Sequence, residues 1–331
     1  MYDVTMMTSV EIENFRGIRY GRVEDLPTLG VFVGSNGSGK STVLEAAFIA
    51  SFGDPARALG RVVYTRRSRT GARWLFHKGE PSPARITVAM SGQKRTLTLQ
   101  QLTMERTSQQ VRCEISNKNW RADIEFKEWN KYDIKYEALN AALPQLGQVR
   151  WIDPSASVQE QAGLEDLYSE AVKQGRRQTA KKLVKAVVPN LDDIEILTEF
   201  GDPVVHVVFE NHSVPVGVTG DGVQSLIRLA FELASRPGGV ALVEEPEARE
   251  HPAAIRQSAK AIIEAISRGI QVLVSTHSLE FIDALLAEAS VEQTKAMAVY
   301  RFALDGGQLR STRIAGEDVA ISRGQIGDDL R

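Results

Sequence analysis

The stretch Gly34-Ser35-Asn36-Gly37-Ser38-Gly39-Lys40-Ser41 constrains this chain more than any other, because it fits the phosphate-cradling pattern G-x-x-x-x-G-K-[ST] without a mismatch. The apolar run from Leu29 to Val33 before it reads as a short buried strand. Behind it, Thr42 to Ser51 places Val43, Leu44, Ala47 and Phe48 at helical spacing. A strand, a glycine-rich loop and a helix aim backbone N–H groups and the positive end of a helix at one point, which is a site for phosphate. The sequence therefore predicts nucleotide binding along Gly34 to Ser41 and into Thr42.

With 331 residues, 43% of them hydrophobic and 25% charged, the chain can bury one large core or two lobes. Lys and Arg total 40 against 42 for Asp and Glu, a net charge of −2, which excludes a global attraction to nucleic acid or anionic membrane but leaves room for local patches. Cys113 is the sole cysteine, so there is no disulfide framework and no cysteine-rich metal site, as suits a reducing compartment. The N-terminus carries Asp3, Glu11 and Glu13 and lacks the apolar core of a signal peptide. No run approaches the roughly 18 apolar residues of a membrane span. The expectation is a cytoplasmic protein with no membrane partner.

Val10, Ile12 and Phe15 among polar neighbours give a half-buried strand leading into Asn14-Phe15-Arg16-Gly17-Ile18. Between Pro55 and Gly79 no acid occurs, while Arg57, Arg61, Arg66, Arg67, Arg69, Arg73 and Lys78 are interleaved with Tyr64, Trp74 and Phe76. Cations neutralise backbone phosphates and aromatics stack on bases, so Arg61, Arg66, Arg67, Arg69 and Arg73 are the nucleic-acid candidates. A solvated loop or a protein-partner surface would have the same composition. Arg85 to Phe126 alternates with period two and reads as an inserted antiparallel sheet, with Cys113 on its apolar face as core packing. Trp129 to Ala142 reads as mixed and helix-prone, Val149 to Ile152 as a strand, and Leu164 to Val188 as a helix ended by Pro189. Within that helix Lys173, Arg176, Arg177, Lys181, Lys182 and Lys185 form a second basic run, which on a helix reads first as a solvated face. Leu191 to Val216 reads as strands, and Met297 to Ile314 as a hairpin with Asp305-Gly306-Gly307 at its tip.

Three later features narrow the chemistry. Val240 to Val243 is a buried strand running into Glu244-Glu245-Pro246-Glu247. Paired carboxylates at a strand end are what a Mg-nucleotide site needs beside its loop, one for the metal shell and one to orient the attacking water. Ile270 to Val274 is another buried strand, followed by Ser275-Thr276-His277-Ser278, which sets a histidine at the edge where open α/β sheets bind ligands. Thr219-Gly220-Asp221-Gly222 precedes an amphipathic helix striped by Val223, Leu226, Ile227, Ala230, Phe231 and Ala234. Its N-terminus is a second phosphate-binding device, one that suits a neighbouring molecule's nucleotide. A capped core helix with Asp221 at its start is the plainer reading.

Taken in order, Asn14 to Ile18, Gly34 to Ser41, Thr219 to Gly222, Glu244 to Glu247 and Thr276-His277-Ser278 resemble the motifs of ABC-type ATPase heads, specifically the RecF/SMC/OLD group. Glu-Glu-Pro-Glu followed by His251-Pro252 is most similar to the OLD (overcoming lysogenization defect) branch. The resemblance implies an α/β P-loop NTPase fold: a head with a mixed central sheet, an inserted antiparallel β-subdomain and a helical lobe. The whole of 1–331 would be one head, with a P-loop lobe and β insertion at 1–128 and a helical insertion at 129–200. The signature, acidic and histidine motifs would fill a lobe at 201–331. It further implies that Lys40 holds the β- and γ-phosphates of ATP, that Ser41 and Glu244 hold Mg2+, and that Arg16 belongs to the nucleotide site. Glu245 would be the general base and His277 the switch histidine. Thr219 to Gly222 would be the signature turn, acting across a head-to-tail homodimer that forms on ATP binding. The chain departs from the family where Glu244 replaces the usual Asp and Gly220 the signature serine. Thr219 is the other source of a hydroxyl there, and Gln148 and Gln159 are alternative glutamine-loop residues. Too short a stretch follows His277 for a Toprim nuclease domain, so the resemblance implies a stand-alone head.

The reading is an ATP-hydrolysing head that acts on DNA or on a separate effector such as a nuclease, in DNA repair or anti-phage defence. The alternative is a slow or non-hydrolysing ATP sensor that scaffolds the effector. Charge reversal at Arg66, Arg67 and Arg69 together is expected to weaken DNA binding and flatten its salt dependence. Unchanged affinity across a salt titration would remove the patch.

Overall fold

The structure, a computed structural model, describes residues 6–65, 71–105, 108–116, 120–127, 131–137, 146–153, 163–235, 238–248, 251–326 and 329. An antiparallel pair, β1 (Met7–Phe15) and β2 (Ile18–Val23), leads to β3 (Leu29–Val33), then to α1 (Lys40–Ser51) and α2 (Pro55–Thr65). A meander follows of β4 (Ala84–Met90), β5 (Gln93–Met104), β6 (Gln109–Ile115), β7 (Trp120–Lys127) and β8 (Lys131–Glu137). Next come β9 (Val149–Ile152), α3 (Leu164–Lys173), α4 (Arg177–Lys185) and the strands β10 (Asp193–Glu199), β11 (Asp202–Phe209) and β12 (His212–Pro215). The last third runs α5 (Asp221–Ser235), β13 (Val240–Glu244), α6 (Pro252–Ser267), β14 (Gln271–Ser275) and α7 (Leu279–Glu288). It closes with α8 (Val291–Lys295), β15 (Met297–Asp305), β16 (Gln308–Ala315) and α9 (Gly316–Ile321).

Among the described residues one sheet takes thirteen strands in the order β8-β7-β6-β5-β4-β1-β2-β16-β15-β3-β14-β13-β9. Its heart is parallel: β15, β3, β14, β13 and β9 all run the same way. Every residue of β3 and β14 is buried, as a strand covered on both faces requires. Alternation sends Phe32, Leu242 and Leu273 into the core beneath α1, while Val31, Val243 and Val274 meet α5, α6 and α7 on the other face. The strands β10, β11 and β12 form a separate antiparallel sheet whose Ile194, Val205 and Val207 join that second core.

The expected antiparallel insertion is present as the meander β4 to β8, and because β4 pairs with β1 from Met7↔Met90 to Glu13↔Arg85 it extends the central sheet. Two expectations need correction. Trp129 to Ala142 contains β8 where a helix was expected, paired with β7 through Phe126↔Tyr132, Ile124↔Ile134 and Ala122↔Tyr136. Tyr132 and Ile134 pack on the core from one face, so a period of two outweighs local helix preference. Residues 129–200 thus carry β8, β9 and β10 alongside α3 and α4. Leu164 to Val188 is two helices, because Gly175 takes a left-handed φ of 67° and Arg176 N–H bonds back to the Ala171 carbonyl at 2.8 Å, closing α3.

Cys113 lies within the apolar face of β6, and burial pushes its thiol well above the ordinary range. Because the thiolate is the reactive form, the native protein is expected to resist thiol labelling until denaturant unfolds the meander. Rapid stoichiometric labelling of the native protein would contradict this packing.

Candidate nucleotide site

Register brings the site together. Phe32 of β3 stands beside Ser275 of β14, and Ser275 beside Glu244 of β13, so one row crosses three parallel strands at their carboxyl ends. The chain leaves that row as Gly34, as Glu245 and as Thr276-His277. Two backbone bonds lock the exits: Thr276 N–H to the Phe32 carbonyl and Glu245 N–H to the Ser275 carbonyl, both 3.0 Å.

The loop from Gly34 to Gly39 needs its glycines. Gly34 has φ 141°, and a Cβ there would lie 2.5 Å from the Phe302 carbonyl oxygen; Gly39, with φ 101°, is the N-cap of α1. Lys40 turns back on the loop, donating from Nζ to the carbonyls of Gly34 at 2.8 Å and Ser35 at 3.2 Å. Burial pushes its pKa down, opposed by the charges of Glu245, Glu247 and Glu244. Among the described residues the Ser38 hydroxyl is buried without a partner. A cation turned onto loop carbonyls, an orphaned hydroxyl and a helix N-terminus together fit an entering phosphate.

Across from Lys40 stand the acids and the histidine. His277 Nε2 lies 2.9 Å from Glu245 Oε1, and Lys40 Nζ lies 3.4 Å from His277 Nδ1. An ammonium only donates, so Nδ1 accepts and Nε2 carries the proton given to Glu245. Glu245 sits at φ 41°, a left-handed conformation unusual outside glycine, directly before Pro246. Such strain costs on the order of 1–3 kcal/mol and concentrates where function fixes the backbone. Among the described residues no group of three or more His, Cys, Asp or Glu could itself hold a metal. Ser41 and Glu244 are hard oxygen donors, which fits Mg2+, an ion that takes its remaining ligands from water and phosphate.

The other expected residues are placed more variously. Arg16, at the β1–β2 turn, pairs with the buried Glu45 of α1 at 2.5 Å, one helical turn beyond the loop. Thr219 to Gly222 lie at the start of α5, on the face of the sheet opposite α1. Gly220 is exposed with open space around it, and Val218 is 72% exposed, so this turn is not packed into its own core. The Thr219 hydroxyl donates to the Val216 carbonyl at 2.8 Å and is committed to its own turn. Gln148 precedes β9, whose first residue pairs with Val240 at the far end of β13, about 13 Å of strand from the site edge. It cannot serve as the glutamine loop, and Gln159 lies outside the described residues, as do Arg66, Arg67 and Arg69. Arg61 is turned inward, donating to the Trp151 carbonyl at 3.0 Å over the Phe48 ring, which corrects its place in the basic patch. Arg73 is exposed beside Trp74, and their segment is tied to the Arg16 turn by Arg16 N–H to the Leu75 carbonyl at 2.9 Å. In the second basic run Arg177 and Lys181 pair with Asp193, and Lys173 with Glu170.

Sequence reasoning assigned no role to Glu247 or Thr276. The Thr276 hydroxyl donates to Glu247 Oε1 at 2.5 Å, and the His277 backbone N–H donates to the same oxygen at 3.0 Å. The third acid of Glu-Glu-Pro-Glu was the available signal. Among the described residues no helix is long and apolar enough to cross a membrane.

The sequence pattern of the AAA ATPase domain matches residues 6–51 and 85–282, well over half of the chain. The uncharacterized protein MJECL11 of Methanocaldococcus jannaschii is 32% identical over 113 residues, 34% of this chain and 98% of that protein. Among solved structures, the Smc head domain of Pyrococcus furiosus with an extended coiled coil, bound to the C-terminal domain of ScpA, superposes with a TM-score of 0.57 at 13% identity. That match covers 98% of this chain and 100% of the other. An SmcHead bound to the C-winged helix domain of ScpA gives 0.54 at 14%, covering 95% and 99%. At such identities the likeness is one of fold. Replacing Lys40 by Ala removes a charged donor worth about 1.5–3 kcal/mol, so Mg-ATP affinity measured by calorimetry is expected to fall at least tenfold. Unaltered affinity would contradict the phosphate assignment.

Proposed function

The chain belongs to the AAA ATPase domain family, and from that premise we propose that it hydrolyses ATP as a head that dimerises head-to-tail around the nucleotide. The observation that carries this reading is the line Lys40–His277–Glu245 at the carboxyl ends of β3, β14 and β13. In the proposal Lys40 leaves the Gly34 and Ser35 carbonyls for the β- and γ-phosphates, and backbone N–H groups of 34–42 cradle them. His277 contacts the terminal phosphate, and Glu245 takes the proton of the attacking water. Ser41 and Glu244 would hold Mg2+, which supplies charge neutralisation between the phosphates. Arg16 would act by steadying α1 through Glu45.

The exposed Gly220 and Val218, on the face away from the chain's own loop, support a signature turn that closes over a second copy's ATP. The partner side of the proposal is DNA, met by Arg73 and Trp74 with Arg66, Arg67 and Arg69, or an effector protein. ScpA bound to the similar Smc heads is an example of a protein partner on this fold. Affinity to the OLD branch, in cytoplasmic DNA repair or anti-phage defence, rests on Glu244 to Glu247 and His251-Pro252.

A second reading, a slow ATP sensor scaffolding an effector, is favoured by two features: Gly220 in the serine position and a Thr219 hydroxyl already bonded to Val216. Phosphate release separates the two. Glu245→Gln is expected to slow hydrolysis about 10²–10⁴-fold while ATP binding persists and dimers accumulate in light scattering. A variant that turns over at the parental rate would overturn the hydrolytic assignment.

A further inference from the structure

We propose that Glu247 is a positioning residue for His277, a carboxylate strut between the turn after β13 and the end of β14 that fixes where the imidazole meets the nucleotide. The inference rests on the ATPase reading above and adds to it a residue for which the three-motif logic of loop, acid and histidine has no place.

The geometry is specific. Pro246 directs the chain so that Glu247 points back beneath the strand ends, where one oxygen, Oε1, accepts both the Thr276 hydroxyl and the His277 backbone N–H. Thr276 Oγ1 in turn accepts the Ser278 N–H at 2.9 Å, and Ser278 Oγ caps α7 by accepting the Phe281 N–H at 3.1 Å. Residues 276–278 are therefore held by the Phe32 carbonyl, by a single carboxylate oxygen and by the first turn of α7. The backbone position of His277 is set from below, while its ring remains free to exchange partners among Glu245, Lys40 and a phosphate. Thr276 is fully buried, and its hydroxyl is spent inside this network. Burial also pushes the Glu247 carboxyl up, with the bonds from Thr276 and His277 opposing that shift.

Why a separate strut is needed follows from the strand ends. Ser275 is the last residue of β14; Thr276 N–H still bonds the Phe32 carbonyl of β3, and at His277 the bond to Glu247 takes over. Glu245, held in its left-handed conformation, reaches His277 through the ring, the part that in the proposed reaction meets the terminal phosphate. Among the described residues it is Glu247 that binds the His277 backbone N–H, and that bond does not involve the ring. A displacement of about 1 Å at such a group costs roughly 100-fold in rate.

The test compares Glu247→Ala, Glu247→Gln and Thr276→Val with the parent and with Glu245→Gln, measuring kcat, KM, Mg-ATP affinity and melting temperature. Glu247→Ala is expected to lower kcat on the order of 100-fold, with Mg-ATP affinity kept within about threefold. Glu247→Gln, whose amide oxygen can accept the same two bonds, should recover most of the rate. Thr276→Val, losing one of the two donors, should fall between them, roughly tenfold down, and it carries the test if Glu247→Ala does not fold. Parental kcat in both Glu247→Ala and Thr276→Val, or a loss of affinity equal to the loss of kcat, would overturn the strut. A Glu247→Gln variant as inactive as Glu245→Gln would also overturn it, by making Glu247 a proton acceptor. If the parent binds ATP without hydrolysing it, the ATPase reading fails and the strut falls with it; a hydrolysing parent with indifferent Glu247 variants fails the strut alone.

Discussion

The structure depends on the register of three parallel strands. Phe32, Ser275 and Glu244 form a row because β3, β14 and β13 are apolar enough to be buried on both faces and to pair without slipping. A one-residue slip would turn Val31, Val243 and Val274 away from α5, α6 and α7 and present the opposite set, so the two cores hold the register. The loop, the acids and the histidine, far apart in sequence, then leave the sheet within one or two residues of the same line. The site is a consequence of burying the sheet.

At that edge the protein holds unfavourable local states. Lys40 is buried with two loop carbonyls and the His277 ring as acceptors beside three carboxylates, and Glu245 occupies a backbone region most residues avoid. Each is tolerable because neighbours fix it: the Ser275 carbonyl and hydroxyl both accept the Glu245 N–H, and Glu247 holds the next strand's exit. A triphosphate with its cation would relieve the Lys40 arrangement and leave the backbone unchanged. This division, a movable lysine on a fixed frame, suits a site that must bind, react and release.

Much of this was legible in the sequence because the signals were local. Gly34 to Ser41 carries its own conformational demand, and the runs before Glu244 and His277 could only be buried strands. The hairpin at Met297 to Ile314 followed from Asp305-Gly306-Gly307 at its tip, where the positive φ values of the two glycines make the turn. What was missed depended on tertiary partners. The alternation of Tyr132, Ile134 and Tyr136 became decisive only once β7 offered Phe126, Ile124 and Ala122 opposite. Arg61 counted as a surface cation until the Trp151 carbonyl and Phe48 gave it a place inside. Gln148 was a candidate by type alone, and strand direction removes it. Glu247 was visible as a letter in a motif, but its role required knowing that β14 ends beside it.

The most direct test of the central claim is amide hydrogen exchange, read by mass spectrometry with and without Mg-ATP. If residues from three separate stretches build one nucleotide site, ATP should slow exchange together at 34–42, 244–247 and 275–278. Protection confined to 34–42, with the strand ends of β13 and β14 unchanged, would contradict it.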